Sequence, residues 1–248
     1  MRSVRIAFSI DSLKLGGAER VLLRWASWCQ QAGWEVVVIT RQSAQRDVYP
    51  LPPGIRRCQE SSLPWPWERL GWFAFPMRVW KLRQLLQQER CYLAVGVTTL
   101  PAVKLLLACF GLSIRCVVSE RNYPPAKPPL LPWRCLRRIT YPWADLHLVQ
   151  TQITGNWLRR HCGARRQLLL SNPVSWPLID REPLVDPNDW LPEDVPLLLG
   201  AGTKAQQKGF DRLMPVFSAL GSRYADLHLA LVGLAQTPYQ GLDRQAWL

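Results

Sequence analysis

Apolar and polar positions alternate along the first part of the chain in a way that predicts regular secondary structure. Residues 4–10 form a short apolar run, typical of a buried parallel strand. Residues 18–29 then place apolar side chains on one face of a predicted helix, which Gly33 closes. A second apolar run follows at residues 36–39. Strand, helix and strand in this order predict a βαβ unit, and thus a parallel sheet with helices on both faces.

The same alternation continues to residue 170. It predicts four more strands and three more helices, separated by a loop-rich stretch over residues 49–76 whose prolines would interrupt long helices. The predicted strands cover residues 93–97, 116–119, 146–149 and 168–170, and the predicted helices cover residues 78–88, 102–109 and 153–161.

A proline-rich, acidic stretch separates this region from a second α/β pattern. Beyond it, apolar runs at residues 197–199 and 227–232 flank a helical stripe at residues 210–217. We therefore expect an α/β protein with two Rossmann-like domains. The first would cover residues 1–172, a linker residues 173–195, and an incomplete second domain residues 196–248, because a doubly wound domain needs on the order of 100 residues.

Positive charge is concentrated in the first of these regions. The chain of 248 residues has a net charge of +13, and residues 1–172 hold 25 basic against 9 acidic side chains, whereas residues 173–248 hold 6 against 9. A basic N-terminal unit could face nucleic acid, an anionic membrane surface or a phosphorylated substrate. Arginines that only keep the protein in solution are the alternative explanation.

The cysteines and the apolar stretches limit where the protein works. Seven cysteines are spaced irregularly without a CxxC pair, which fits a reducing compartment and indicates no zinc ribbon. The apolar run at the N-terminus ends at Asp11, too early for a signal peptide. The longest apolar stretch, residues 101–114, contains Lys104 and is too short to span a bilayer. We expect a cytoplasmic location, with peripheral contact at the inner face of the membrane as a further expectation.

Two glycine-containing turns follow predicted strands and open predicted helices. Gly16 and Gly17 would let a ligand approach the backbone at a helix N-terminus, which favours an anion; a merely tight turn is the alternative. In the second region, Gly202, Lys204 and Lys208 repeat the arrangement with lysines beside the helix start, a combination that suits phosphate. The alternative there is a solvated loop.

These segments together resemble glycosyltransferase family 4, whose members have two facing Rossmann-like domains (the GT-B fold) with the active site between them. The similar segments occur in the family's order: GGAER at 16–20, VSERN at 118–122, SNPV at 171–174, QKGFDRL at 207–213 and LVG at 231–233. The SNPV segment resembles the family's domain-crossing signature. The VSERN segment resembles a branch that elongates lipid-linked or cell-surface glycans.

The resemblance implies a retaining transfer of a hexose from a nucleotide-diphosphate sugar, expected to be UDP-linked, to such a glycan without a cofactor or bound metal. It implies catalytic roles for Glu120 and Lys208, and acceptor contacts from Arg121 and Asn122; a strand-end salt bridge is the alternative for Glu120. The implied donor-binding residues are Gly16, Gly17, Gly202, Thr203, Lys204 and Lys208.

Two departures from the family pattern weaken the donor half of this prediction. Thr203 stands where the family usually has an arginine, and the family's later pair of glutamates is absent, since no glutamate occurs after Glu193. Truncation within the second domain would explain the missing pair. A non-catalytic remnant or partner-binding subunit is therefore a second hypothesis. A nucleic-acid-binding protein is a third, without a recognition helix or stacking motif to support it.

The middle of the N-terminal region combines aromatic and basic side chains. Residues 63–83 hold tryptophans, phenylalanines, arginines and a lysine, a mixture that suits the headgroup layer of a membrane. A tryptophan-rich helix packed on the domain core is an equally good explanation.

Overall fold

The computed structural model describes residues 4–14, 16–60, 73–174, 191, 194–202 and 205–233. The chain divides into two compact units, Met1–Ser175 and Trp176–Leu248. Most of the predicted linker, residues 173–195, lies outside the described residues, and its boundaries stay a prediction.

The first unit is a Rossmann-like domain with a parallel sheet of seven strands. The sheet order is β3-β2-β1-β4-β5-β6-β7, so the chain moves outward from β1 to β3 and then crosses to β4 on the other side. The strands are β1 (Arg5–Ile10), β2 (Glu35–Thr40), β3 (Arg56–Gln59), β4 (Leu93–Val97), β5 (Arg115–Glu120), β6 (Leu146–Val149) and β7 (Gln167–Leu169). The helices are α1 (Gly17–Gln31), α2 (Phe75–Gln88), α3 (Thr99–Cys109), α4 (Leu131–Thr140) and α5 (Gln152–Cys162).

Helices cover both faces of this sheet, as the sequence pattern predicted. Successive side chains of β1 alternate between two buried clusters: Ile6 and Phe8 pack with residues of α1, whereas Ala7 packs with residues of α2 and α3. This alternation is the period of two that a strand imposes on its side chains. The hydrophobic core therefore lies on both sides of a central sheet, and the strand ends remain free to carry polar groups.

The predicted end of the first helix is confirmed. Gly33 adopts a left-handed backbone with φ of 85°. Its amide donates to the carbonyl of Gln30, and the amide of Trp34 donates to the carbonyl of Cys29. These two bonds form a Schellman motif, which satisfies carbonyls that the last turn would otherwise leave unpaired.

Among the described strands and α-helices of the first unit, β3 and α4 were not predicted from the sequence. Strand β3 lies in the stretch predicted to be loop-rich. The apolar pattern does not reveal it, because its residues form no apolar run and it is held against β2 by backbone pairing. Helix α4 contains three arginines and begins with Pro132 in its first turn, where proline is tolerated. Prolines in first turns also explain why α2 and α3 start three residues earlier than predicted.

The second unit is a smaller α/β fragment. Its described part contains β8 (Leu197–Ala201), α6 (Ala205–Lys208), α7 (Phe210–Gly221) and β9 (His228–Val232). Strands β8 and β9 pair in parallel, and Phe210 of α7 packs against Gly200 of β8. Pro215 lies inside α7, where it removes one helical hydrogen bond.

The buried histidine of β6 makes the stability of the first unit depend on pH. His147 is 1% exposed, and its Nδ1 lies 3.3 Å from the carbonyl oxygen of Arg166. Burial lowers the pKa of His147 from 6.5 to about 4, so the folded ring is neutral where an unfolded one takes up a proton. The contribution of His147 to stability is therefore complete above pH 6.5 and is lost as the pH falls toward 4.

We expect acidification from pH 7 to pH 4 to cost on the order of 3 kcal/mol of unfolding free energy through this residue. Urea denaturation at a series of pH values measures it. His147→Leu should flatten the pH dependence, whereas the control His161→Leu, on the exposed part of α5, should not. An unchanged slope in His147→Leu would contradict the assignment.

Candidate functional site

The carboxyl ends of the parallel strands gather the polar residues of the first unit at one edge of the sheet. In parallel α/β sheets this edge is where ligands bind. At the end of β1, Asp11 binds the guanidinium of Arg41 (2.6 Å) and the amide of Gln42 (3.0 Å), both of which follow β2. Burial acts to raise the pKa of Asp11, but the hydrogen bond and the charge of Arg41 lower it below its ordinary value.

The start of α1 leaves backbone accessible at this edge. Gly16 is the N-cap residue with an extended backbone, and a Cβ there would collide with the carboxylate of Glu19 in the first turn. A Cβ at Gly17 would meet no atom within 4 Å. The space beside Gly17 is thus open to a ligand, as the predicted donor-binding role of Gly16 and Gly17 requires; the role itself stays a prediction.

Glu120, the last residue of β5, is directed into the protein. Its side chain is 1% exposed, whereas its position directly after a predicted strand led us to expect it at the interdomain cleft. Its carboxylate accepts hydrogen bonds from the hydroxyl of Thr99 at 2.9 Å and from that of Tyr141 at 2.8 Å. The guanidinium of Arg137 lies 3.9 Å away. The salt bridge weighed as an alternative is therefore present, within a larger buried network.

Two effects of opposite sign act on this carboxylate. Burial is the larger effect and raises the pKa of Glu120 above its ordinary value, while the hydroxyls of Tyr141 and Thr99, the charge of Arg137 and the backbone amide of Arg121 act to lower it. All these partners donate hydrogen bonds or carry positive charge, so they favour the ionised carboxylate. Burial and the charge of Glu120 in turn raise the pKa of Tyr141 well above its ordinary value. The tyrosine thus stays a donor.

Thr98, which joins β4 to α3 beside this network, has a strained backbone. Its φ of 72° and ψ of 165° lie in a region that glycine adopts and β-branched residues avoid. The strand and the helix hold it there, because its amide donates to the carbonyl of Ser119 and its carbonyl accepts from Ala102. Strain of this kind is concentrated at functional sites.

Arg121, the next residue after Glu120, lies over the first helix. Its guanidinium is 5.2 Å from the ring centre of Trp25 and donates to the side chain of Asn172, which also contacts the side-chain amide of Gln150. Burial lowers the pKa of Arg121, and its Nε is a buried donor without a partner among the described residues. Arg121 and Asn172, from two of the segments that resemble family 4, therefore meet at this edge. Asn122 follows in a half-buried position.

A second buried ion pair lies at the same edge. Lys104 of α3 binds the carboxylate of Glu60, which directly follows β3. Lys104 stood out in the sequence as the single charge within residues 101–114. No sequence pattern singled out Glu60, Thr99 or Tyr141, which only the fold brings into these networks.

In the second unit, the glycine after β8 and the lysine that ends α6 are in contact. A Cβ at Gly202 would lie 2.7 Å from Cγ of Lys208 and 3.1 Å from its Cε, so the lysine side chain passes over the glycine at the carboxyl end of the strand. Gly209 then starts α7 with a left-handed backbone. Thr203 and Lys204 lie outside the described residues.

The profile of Glycosyltransferase Family 4 matches residues 15–174, more than half of the chain. The chain belongs to glycosyltransferase family 4. The match includes both glycines of the first turn, the VSERN segment and Asn172. No match was found among curated proteins.

Solved structures of similar fold extend the likeness to both units of this family 4 chain. A lipopolysaccharide outer core galactosyltransferase, WaaB, is 17% identical with a TM-score of 0.64; the alignment covers 94% of this chain and 62% of WaaB. A sucrose-phosphate synthase from Thermosynechococcus elongatus is 16% identical with a TM-score of 0.65 over 94% and 71%. Anabaena HepE in complex with UDP is 16% identical with a TM-score of 0.59 over 94% and 70%. The chain thus spans less than two thirds of the length of WaaB.

The described residues of this family 4 chain contain no group of three or more histidine, cysteine or acidic side chains that could hold a metal ion. Among the same residues, no helix is long and apolar enough to cross a membrane.

Removing one donor from the buried carboxylate should destabilise the first unit. In Tyr141→Phe, the buried carboxyl group of Glu120 loses a hydrogen bond of 2.8 Å. We expect a loss of about 1–3 kcal/mol in the free energy of unfolding, measured by urea denaturation at pH 7. The control Tyr123→Phe removes an exposed hydroxyl and should change stability little. Equal effects of the two variants would contradict the network.

Relieving the backbone at Thr98 should have the opposite effect. Thr98→Gly removes the Cβ that makes this conformation unfavourable, and we expect a gain of about 1 kcal/mol after the larger entropy of unfolded glycine is counted. Thr98→Ala keeps a Cβ and should give no gain. Thermal denaturation of both variants measures the difference, and a less stable glycine variant would show that Thr98 is not strained.

Proposed function

We propose that this family 4 chain takes part in retaining transfer of a hexose from a UDP-linked sugar to a lipid-linked or cell-surface glycan. In this proposal the acceptor binds at the sheet edge of the first unit, and the turns at Gly16–Gly17 and Gly202–Lys208 contribute to binding of the donor diphosphate. No metal or cofactor takes part, and the reaction occurs on the cytoplasmic side of a membrane.

The observation that carries the proposal is the packing of Lys208 over Gly202 at the carboxyl end of β8. The absence of a side chain at Gly202 lets the lysine lie along the strand end, where parallel sheets bind ligands. An ammonium group held there can neutralise a diphosphate, and it acts most strongly on the charge that develops as the nucleoside diphosphate leaves. This supports Lys208 as the catalytic residue, with Thr203 and Lys204 as further donor contacts.

On the acceptor side, Arg121 and Asn122 are the groups we propose to meet the glycan. The unpartnered Nε of Arg121 supports this, because a buried donor without a partner is costly unless a ligand supplies the acceptor. We propose that Glu120 contributes through its neighbours rather than by touching the sugar. Its buried carboxylate fixes Thr99 and the backbone of Arg121, and so positions the arginine.

A non-catalytic subunit of the same family is the alternative function. It is favoured by Thr203, which stands in place of the family's usual arginine. A threonine hydroxyl cannot replace the paired hydrogen bonds and charge that arginine offers to a diphosphate. In this alternative the second unit would bind a partner instead of a donor.

Calorimetric titration of the chain with UDP tests the donor site. We expect measurable binding that Lys208→Ala weakens on the order of tenfold or more, because an ion pair with phosphate is lost. Lys127→Ala removes an exposed lysine of the first unit and is the matched control.

Binding of UDP that Lys208→Ala leaves unchanged would contradict the assignment of this lysine. A folded chain that binds no UDP would favour the non-catalytic alternative. Gly202→Ala adds a second check. Its new methyl group would displace Lys208 and weaken UDP binding, whereas Gly221→Ala, which meets no atom within 4 Å, should not.

A further inference from the structure

The outer face of α4 combines exposed apolar side chains with exposed arginines. Leu130 and Leu131 are 76% and 67% exposed where the helix begins, and Ile139 is 57% exposed near its end. Trp143, in the 3₁₀ turn that follows, is also exposed. We call Leu130, Leu131, Arg134, Arg138, Ile139 and Trp143 the α4 surface.

Helical geometry separates this surface from the core. Positions 131, 135, 138 and 139 are spaced so that their side chains share the outward face of α4. Trp133, Leu136, Arg137 and Thr140 point the other way, toward the core. An ordinary surface helix carries polar side chains on its outer face. Helix α4 carries exposed aliphatic side chains there, beside two arginines.

No acidic side chain of the described residues neutralises the arginines of the α4 surface. Arg134 and Arg138 are exposed, and neither forms an ion pair with a carboxylate of the described residues. Helix α5, which contacts α4, adds the exposed Arg159 and Arg160. Two neighbouring helices of the first unit therefore carry exposed arginines, consistent with the basic excess of residues 1–172.

The combination of free arginines with exposed aliphatic and indole side chains fits one kind of partner. Phosphate groups alone would satisfy the arginines but would leave Leu131 and Ile139 in water. An anionic bilayer satisfies both, because lipid phosphates meet the guanidinium groups while the apolar side chains enter the headgroup and acyl boundary. The ring of Trp143, which packs at 4.9 Å from that of Phe110, has the amphipathic character of residues at this depth.

We propose that the α4 surface docks the first unit on a membrane that contains anionic lipid. This deepens the membrane contact of the proposed function and places it on α4 rather than on residues 63–83, of which residues 63–72 lie outside the described residues. The inner face of the same helix carries Arg137, 3.9 Å from Glu120. Docking on α4 would therefore hold the acceptor edge one helix width from the lipid headgroups, where a lipid-linked glycan begins.

Co-sedimentation of the chain with vesicles tests the proposal without donor or acceptor, so its result is independent of UDP binding. The vesicles contain phosphatidylcholine alone or with phosphatidylglycerol. We expect binding to the anionic vesicles that is weakened on the order of tenfold or more by Arg134→Glu/Arg138→Glu, since each basic residue contributes appreciably to such binding. Leu131→Glu/Ile139→Glu should weaken it to a similar extent.

Matched variants control for charge and for exposed apolar area. Arg90→Glu/Arg223→Glu reverses two exposed arginines elsewhere, and Ile153→Glu/Leu168→Glu changes two exposed aliphatic residues on other elements. Both should bind nearly as the wild type does. Circular dichroism and thermal denaturation verify that every variant is folded.

Two results would overturn the proposal. One is that the wild-type chain stays in the supernatant after sedimentation with anionic vesicles. The other is binding that survives in both α4 double variants but is lost in Trp65→Ser/Trp67→Ser, which would assign the membrane contact to residues 63–83.

Discussion

The carboxylate of Glu120 lies at the end of β5 in a place where water cannot reach it. A charge in such a position is tolerated only if neighbouring groups replace its hydration, and here the groups come from three other segments. Thr99 donates from the start of α3, Tyr141 from the turn after α4, and Arg137 approaches from α4 itself. The position of the two helices at the carboxyl edge of the sheet thus depends on one buried carboxyl group.

This constraint links the fold to the candidate site. The start of α3 is fixed against β5, and the same connection holds Thr98 in a conformation that threonine avoids. The backbone amide of Arg121 also acts on the Glu120 carboxylate, while the Arg121 side chain reaches Trp25 and Asn172. The arginine proposed to meet the acceptor is therefore positioned from both sides, by a buried charge behind it and by an aromatic ring beside it.

Helix α4 divides its arginines between two environments. Arg137 faces inward, where it lies 4.9 Å from the ring centre of Trp157 and near the Glu120 carboxylate. Arg134 and Arg138 face outward among exposed aliphatic side chains. The difference follows from a helical repeat of 3.6 residues, which turns neighbouring positions by about 100°. The basic composition alone does not reveal this division, because a buried arginine and an exposed arginine are the same residue type in the sequence.

The sequence by itself determined the parallel α/β architecture, because buried strands and one-sided helices impose different periods on the apolar residues. The motifs also identified the family, as their order along the chain is more specific than any one of them. The sequence did not predict β3 or α4, since a strand paired through backbone groups needs no apolar run and an arginine-rich helix has no continuous apolar face.

Only the tertiary structure decided which way Glu120 points and which residues accompany it. Thr99, Arg137 and Tyr141 are 17 to 21 positions from Glu120 along the chain, and no spacing rule connects them. They meet because parallel strands bring the ends of separate segments to one edge, and because a buried carboxylate must be surrounded by donors. The amino-acid sequence shows which side chains are present, whereas the tertiary structure decides which of them are buried together.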